Sequence, residues 1–198
     1  MKLIIVRHGE THENNLGIIQ GWNVGTLNDK GQEQAKKVAL RLKDEKIDIV
    51  YSSDLERTKQ TTEEIMKFHP KTPVIYEKIL RERNSGEWEG KTEEERKLSL
   101  QNNNLEYLKH KPRGGESPQD LQKRVISFYD NFIQKYNKET ILIVGHGGPL
   151  TLLYLHIFEK DIKEFHKYHP QNTAVTILEI DDNKKHTVHV LNCVKHLQ

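Results

Sequence analysis

Cys193 is the only cysteine in the chain, so no intramolecular disulfide can staple it. Long apolar runs are missing as well. Consecutive hydrophobic residues reach only about four to six, against the roughly 20 that a membrane-spanning helix needs. Nor is there an excess of charge of one sign. Lys+Arg 31 against Asp+Glu 29 gives a formal charge of +2, and the two signs are interspersed, leaving no basic stripe for nucleic acid. After Met1-Lys2 the apolar stretch is too short for a signal peptide and ends at Arg7. The expectation is a cytoplasmic protein of the reducing compartment, without membrane or nucleic-acid partners. No internal repeat is present, and no low-complexity tract beyond Asn102-Asn103-Asn104. The 198 residues suffice for one domain with a proper core. We expect a single domain over 1–198, with a cap-like insertion at about 92–116.

What the chain does contain is two short β-branched runs that stop at histidines. Leu3-Ile4-Ile5-Val6 suits a strand buried on both faces of a parallel sheet, and Arg7-His8-Gly9 follows it. Thr140-Ile141-Leu142-Ile143-Val144 repeats the arrangement and ends at Gly145-His146-Gly147-Gly148. In open α/β sheets, ligands sit just beyond the carboxyl ends of strands. An arginine there offers a planar fork that matches phosphate oxygens.

Between these runs, Asn28-Asp29 offers caps for a helix over about 30–44, with Ala35, Val38, Ala39 and Leu42 at helical spacing. Ile47–Tyr51 reads as a second strand, and Ser52-Ser53 as the cap of a helix reaching about Lys67. That helix has a thin apolar stripe of Leu55, Ile65 and Met66. Val74–Tyr76 reads as a short third strand. The charged residues 92–116 form the expected cap, with a helix over Glu93–Leu100. Ser117-Pro118-Gln119-Asp120 is a capping-box start for a helix to about Tyr136. A helix over about Pro149–Phe158 follows the second histidine. Ala174–Ile180 and Thr187–Leu191 then suggest a terminal hairpin. The spacing predicts an α/β fold with a mostly parallel central sheet and an antiparallel edge strand.

Arg7, His8, Asn14, Arg57, Glu82 and His146 all fall at or near strand ends. Two arginines can neutralise a phosphomonoester dianion, and amides of the helix after Gly147 add partial positive charge. One histidine can then attack phosphorus while the other donates to an oxygen. Glu82 supplies the proton for the leaving alkoxide, since burial beside a dianionic phosphate favours its protonated form. The cationic cluster takes the place that metal ions hold in kinases, and no metal cage is evident.

Ordered motifs carry a family resemblance over nearly the whole chain. They are Arg7-His8-Gly9-Glu10-Thr11 with Asn14, Gly21-Trp22 with Leu27 and Gly31, and Ser52-Ser53-Asp54-Leu55-x-Arg57-Thr58. Leu80-x-Glu82-x-x-x-Gly86-x-Trp88-x-Gly90, Gly115-Glu116-Ser117 and Gly145-His146-Gly147 complete the set. The chain resembles the histidine phosphatase superfamily, in its phosphoglycerate-mutase-like branch, and the resemblance implies that family's fold, a three-layer α/β/α sandwich around the mixed sheet. The resemblance implies that His8 becomes phosphohistidine and that Arg7, Asn14, Arg57 and His146 line the phosphate pocket. Thr11 and Gly147 would contact phosphate or shape the pocket, and Glu82 would be proton donor and then base. No cofactor is implied, and the partner is a small-molecule phosphomonoester.

Mutases of this family usually run longer, with a closing segment after the third motif that protects phosphohistidine from water. Here Asn84-Ser85-Gly86-Glu87-Trp88-Glu89-Gly90 resembles the phosphatase branch: α-ribazole phosphatases and metal-independent phosphoserine phosphatases. A hydrolase is the favoured reading, a cofactor-dependent phosphoglycerate mutase the alternative. A non-catalytic binding module would have lost catalytic residues that this chain keeps. Gly21, Trp22 and Trp88 are candidates for walls of the substrate pocket. Arg81, Arg83, Lys91 and Arg113 are candidates for reading a substrate carboxylate or second phosphate. His166-x-x-His169 has helical metal spacing but no third ligand, so solvated histidines are expected, as for His186 and His189. A homodimer paired through the terminal hairpin edge is left open.

Overall fold

The computed structural model describes residues 1–103 and 106–198. Asn104 and Leu105, in the asparagine run and the expected cap, lie outside the described residues. In chain order the elements are β1 (Lys2–Arg7), α1 (His12–Leu16), α2 (Asp29–Leu42), β2 (Ile49–Ser52), α3 (Glu56–Met66), β3 (Val74–Tyr76), α4 (Glu93–Asn102), α5 (Pro118–Lys135), β4 (Thr140–Gly145), α6 (Gly147–Ile157), α7 (Phe165–Tyr168), β5 (Val175–Ile180) and β6 (His186–Cys193). Among the described residues, no helix is long and apolar enough to cross a membrane.

The six strands form one sheet in the order β3-β2-β4-β1-β5-β6. β3, β2, β4 and β1 run parallel. β5 runs antiparallel to β1, and β6 pairs antiparallel with β5 as the expected hairpin. Alternation across the pleat explains why the central strands are apolar throughout. On β1, Leu3 and Ile5 pack with α5 and α6 residues such as Leu121, Tyr129 and Leu153. Ile4 and Val6 face the other way, against Val38 and Leu42 of α2 and Ile65 of α3. The result is the α/β/α sandwich that the family resemblance implies.

Two local readings need correction. Ser52-Ser53 does not cap α3: that helix starts at Glu56, and its N-cap, Leu55, makes no side-chain cap bond. The Ser53 hydroxyl instead lies 2.8 Å from His146 Nε2. The inner face of α3 is also not a thin apolar stripe. Arg57, Thr58, Thr61 and Thr62 are buried beside Ile65. Burial of so many hydroxyls is tolerable because each finds a partner. Thr61 and Thr62 donate to the carbonyls of Arg57 and Thr58, four residues back. Thr61 Oγ1 also accepts from the Gly9 amide at 3.0 Å, tying α3 to the loop that follows β1.

Sheet register brings the two histidines together. Arg7 pairs with Gly145 in the parallel β1–β4 ladder, and the His8 amide donates to the Gly145 carbonyl at 3.0 Å. One residue further along each strand, His8 and His146 leave the sheet side by side. Their separation in sequence is large, yet hydrogen-bonded registry of two central strands fixes their separation in space.

Candidate active site

The His8 and His146 rings sit edge to face, with centroids 5.2 Å apart, and both are buried. His8 Nδ1 lies 2.7 Å from the carbonyl of Gly9. A carbonyl can only accept, so Nδ1 carries the proton, and in the neutral ring the Nε2 lone pair is free. Burial holds the His8 pKa well below its usual 6.5, and the charges of Arg57 and Arg7 push it down further. The ring is therefore neutral at neutral pH. Burial likewise holds His146 well below 6.5, reinforced by Arg57. Ser53 Oγ accepts from the Leu55 amide and can donate its own proton to His146 Nε2, 2.8 Å away. That assignment puts the remaining ring proton on Nδ1, which is buried and has no hydrogen-bond partner among the described residues.

Buried neutral rings have a consequence for stability. Unfolded histidines titrate near pH 6.5. Below that value the unfolded chain binds protons that the folded chain does not, so stability falls as pH falls. Each of the two rings contributes a slope of up to about 1.4 kcal/mol per pH unit until its folded pKa is reached. The urea midpoint is therefore expected to drop steadily between about pH 6.5 and about pH 5. A flat midpoint over that range would show that both rings are protonated in the fold.

Arg7, at the end of β1, and Arg57, in the first turn of α3, both line the cleft beside His8. Arg57 is 1% exposed and anchored by loop carbonyls: Nη2 donates to Gly21 at 2.9 Å and Nη1 to Asn23 at 3.3 Å. Burial lowers its pKa to about 10, against the pull of Glu82, so it stays charged at neutral pH. Burial lowers Arg7 in the same way, with Glu82 opposing. The Nε atoms of Arg7 and Arg57 are both buried with no partner among the described residues. With His146 Nδ1 they make three donors that a buried oxyanion would satisfy.

Asn14 also lines the cleft. Its Oδ1 accepts from the Thr11 amide and from Asn172 Nδ2, which leaves its own Nδ2 to face a ligand. Thr11 is not on the cleft wall. It is fully buried, and its hydroxyl caps α1 by accepting from the Asn14 amide. Gly147 is buried at the start of α6, where a Cβ would come 2.5 Å from the His169 ring and 3.4 Å from Arg7 Cζ. Its place is close packing, and Gly148 is the residue on the wall.

Glu82 lines the same cleft and is held by backbone donors. Its Oε1 accepts from the Arg83 amide at 2.8 Å and its Oε2 from the Gly148 amide at 3.2 Å. Arg124 of α5 fixes the strand of chain behind it, donating to the carbonyls of Ile79, Arg81 and Glu82. The guanidinium is itself held by both carboxylate oxygens of Glu116. Trp22 Nε1 donates to the same Glu82 carbonyl at 2.7 Å.

Of the residues expected to set specificity, Gly21 and Arg83 line the cleft. Trp22, Trp88, Arg81 and Arg113 do not. Arg81 makes a bidentate pair with Asp54, both contacts at 2.6 Å, and stacks over Trp22 at 4.7 Å. Trp88 is buried with Ile19 and Leu100 in a small cluster beneath the cap helix. The Arg113 side chain is 90% exposed beside Glu87. Arg83 differs from all of these. It is 7% exposed, wedged between the faces of Trp88 at 5.6 Å and Tyr107 at 5.4 Å. Its Nη1 finds no hydrogen-bond partner among the described residues. Each ring face returns about 0.5–2 kcal/mol, while burying an ion costs several kcal/mol.

Three contributors escape a sequence reading. Arg124 and Asn172 carry no local signal, because each acts through contacts distant in the chain. Asn172 Nδ2 also donates to the carbonyl of His8 at 3.0 Å. His169 was expected to be solvated. As a residue it is exposed, yet its ring turns into the cleft. His169 Nδ1 lies 3.0 Å from Thr151 Oγ1, which donates to the Gly147 carbonyl, while Nε2 meets Arg7 Nη1 at 3.4 Å. Arg7 can only donate, so Nε2 is the acceptor. Burial beside Arg7 lowers the His169 pKa to about 4, which preserves that role at neutral pH. No cluster that could hold a metal ion exists among the described residues, His166-x-x-His169 included. His186, too, is engaged, meeting the Tyr129 hydroxyl.

His169→Ala removes one of the two acceptors that orient Arg7 among the described residues, the other being the Pro170 carbonyl at 2.7 Å. The variant is expected to lower kcat/KM for a phosphomonoester about tenfold, mostly through KM, as for one hydrogen bond to a charged group. His169→Gln, which keeps an acceptor, should recover part of the loss. Equal rates in the alanine variant and the parent would show that Pro170 alone suffices.

Comparison with known proteins agrees with this geometry. The family model described as histidine phosphatase superfamily (branch 1) matches residues 3–193. A probable phosphatase of Schizosaccharomyces pombe, C1687.21, is 30% identical over 206 residues, covering 100% of this chain and 96% of the relative. A metal-independent phosphoserine phosphatase of Arabidopsis thaliana is 38% identical over 166 residues, covering 79% of this chain and 68% of that protein. Among solved structures, the α-ribazole phosphatase from Shigella flexneri superposes with a TM-score of 0.85 at 29% identity, covering 98% of this chain and 96% of that one. The paired histidines at adjacent strand ends, the buried arginines beside them and the match along almost the whole length lead to one conclusion: the chain belongs to the histidine phosphatase superfamily, branch 1, and is a phosphatase.

Proposed function

We propose that the protein is a metal-independent phosphomonoester hydrolase that works on a small phosphorylated metabolite through a phosphohistidine. The observation that carries this reading is the 2.7 Å contact between His8 Nδ1 and the Gly9 carbonyl. The Nδ1 proton is committed to that carbonyl and the ring's pKa is held low, so Nε2 presents a lone pair in a buried, positively charged cleft.

The substrate phosphate sits among Arg7, Arg57, Asn14 and His146. Nε2 of His8 attacks phosphorus, forming the N–P bond as the P–O bond to the leaving alcohol breaks. The alkoxide takes its proton from the Glu82 carboxylic acid. In the second half-reaction the Glu82 carboxylate takes a proton from water, the oxygen attacks phosphorus, and the N–P bond breaks. Inorganic phosphate leaves, and His8 and Glu82 return to their starting states. Developing charge on the transferring group is stabilised by two guanidinium groups that need no reorganisation.

Residues 92–116 act in this reading as a cap on a single domain. Glu93, Arg96, Lys97 and Leu100 of α4, with Tyr107 and Leu108, line the outer cleft. The test is a panel of phosphomonoesters, phosphoserine and α-ribazole phosphate among them, assayed with chelator present. 3-Phosphoglycerate with a bisphosphoglycerate primer is run alongside. Release of inorganic phosphate undiminished by chelator is expected. Fast isomerisation with little free phosphate would make the protein a mutase, and turnover only after adding metal would overturn the metal-free mechanism.

A further inference from the structure

Between α7 and β5, residues 169–174 close over the reactive end of β1. The Pro170 carbonyl accepts from Arg7 Nη1 at 2.7 Å. Asn172 Nδ2 donates to the His8 carbonyl at 3.0 Å and to Asn14 Oδ1 at 3.2 Å. The Thr173 amide donates to the Arg7 carbonyl at 3.1 Å and is shared with the His8 carbonyl at 3.3 Å. One loop thereby fixes both the backbone of His8 and the carboxamide of Asn14. Neither Asn172 nor Thr173 lines the cleft.

Thr173 holds this loop in a conformation that threonine avoids. Its φ is 53°, in the left-handed region, where a β-branched side chain is strained and glycine or asparagine is the usual occupant. The residue is fully buried. Such strain persists only where surrounding contacts over-determine the backbone, and it gathers at functional sites. Here the contact comes from the end of the chain. Thr173 Oγ1 has one hydrogen-bond partner among the described residues, His196 Nε2 at 3.2 Å.

His196 lies in the closing turn Lys195–Leu197. Two side chains of α2 hold that turn. Lys37 Nζ donates to the Leu197 carbonyl at 3.0 Å. Arg41 Nη1 donates to the Cys193 carbonyl at 3.0 Å and meets His196 Nδ1 at 3.1 Å. An arginine can only donate, so Nδ1 accepts and the ring proton sits on Nε2, aimed at the Thr173 hydroxyl. Burial, with the charges of Arg41 and Lys37, lowers the His196 pKa to about 4, so the neutral ring is the form at neutral pH. A continuous series of hydrogen bonds thus runs from α2 through Arg41, His196 and Thr173 to the carbonyls of Arg7 and His8.

We infer that His196 is a positioning residue for the reaction: by bonding Thr173 it keeps residues 170–173 set against His8 and Asn14, so that the C-terminal turn, outside the cleft, governs the alignment of the nucleophile. This rests on the phosphatase reading above for the nucleophilic role of His8. Without the bond, Thr173 relaxes towards negative φ, and Asn172 is carried off the His8 carbonyl and Asn14. Arg57 keeps its own anchors on the carbonyls of Gly21 and Asn23, so phosphate binding survives better than alignment.

His196→Ala is expected to lower kcat for a phosphomonoester about tenfold with a smaller change in KM, because misplacing a reacting group costs rate more than affinity. His196→Gln, whose amide has an acceptor for Arg41 and a donor for Thr173, should restore most of the rate. Thr173→Val removes the hydroxyl at similar volume and should match His196→Ala, and the double variant should be no slower than either single one. Lys37→Met loosens the same turn without touching the series of bonds, so it should lower Tm and leave kcat unchanged. A second readout needs no turnover: the His8 Nδ1 proton resonance in nitrogen-edited spectra should shift in His196→Ala and return in His196→Gln. If Thr173→Val fails to fold, the two His196 variants still decide. An undiminished kcat with an unmoved resonance in His196→Ala, losses that multiply in the double variant, or an equal loss of kcat in Lys37→Met would overturn the positioning role. A parent protein that releases no phosphate, with the His8 resonance still moved by His196→Ala, would sink the phosphatase reading alone.

Discussion

His8→Ala is expected to lower kcat for any phosphomonoester by at least about 10⁴-fold, equivalent to about 5.5 kcal/mol in the barrier. The loss should be this large because no neighbour can take over. Of the other imidazoles at the site, His169 has both ring nitrogens engaged, by Arg7 and Thr151, and His146 has Nε2 at 2.8 Å from Ser53 Oγ, which leaves the ring proton on Nδ1 when Ser53 donates. A ring in that tautomer has no lone pair to offer phosphorus. Binding should suffer less than turnover, since Arg7, Arg57 and Asn14 remain in the cleft. The measurement that isolates the role is a rapid acid-free quench with labelled substrate. The parent protein should trap one acid-labile phosphate per chain, and His8→Ala none. His8→Asn, which fills more of the buried space, separates loss of the nucleophile from loss of packing. Full hydrolysis by either variant would remove His8 from the nucleophile's place.

Much of the frame was legible because it is written in local pattern. Both histidine-bearing strands announce themselves as apolar runs ended by a polar site, and β1 and β4 do lie side by side. The Ser117-Pro118-x-Asp120 capping box starts α5 where it was read. What was not legible depends on partners far away in the chain. The threonine face of α3 looks like a solvated surface in sequence, yet it is interior, because Thr61 and Thr62 satisfy their hydroxyls on their own helix and can then pack against the Gly9 loop. Hydropathy counts a hydroxyl as polar whether or not its proton is already placed. The arginines show the same limit. Arg81 and Arg83 are two residues apart and indistinguishable by type, but one is neutralised by Asp54 and the other enters the cleft. Only the fold distinguishes them. The spacing of His169 from His166 suggests only a metal pair without a third ligand, whereas its partners in the fold are Arg7 and Thr151.

Glu82→Gln tests the remaining chemical role, and its expected signature depends on the leaving group. For an alkyl phosphate such as phosphoserine, the departing alkoxide is a strong base and needs a proton as the P–O bond breaks. An amide cannot supply one, so kcat should fall about 10²–10⁴-fold. For p-nitrophenyl phosphate the departing phenolate is stable unprotonated, so the first half-reaction should survive. The second half-reaction still lacks a base to activate water. The variant should therefore release a burst of about one nitrophenolate per chain and then slow, with phosphate held on His8. Glutamine keeps the shape of the side chain, and its carbonyl oxygen can still accept from one of the amides of Arg83 and Gly148 that now hold the carboxylate. A general collapse of the site is thus not the expected cause of the loss. Equal slowing of both substrates with no burst would instead mean that Glu82 acts by placing Arg7 and Arg57 through its charge, and that the proton comes from another group.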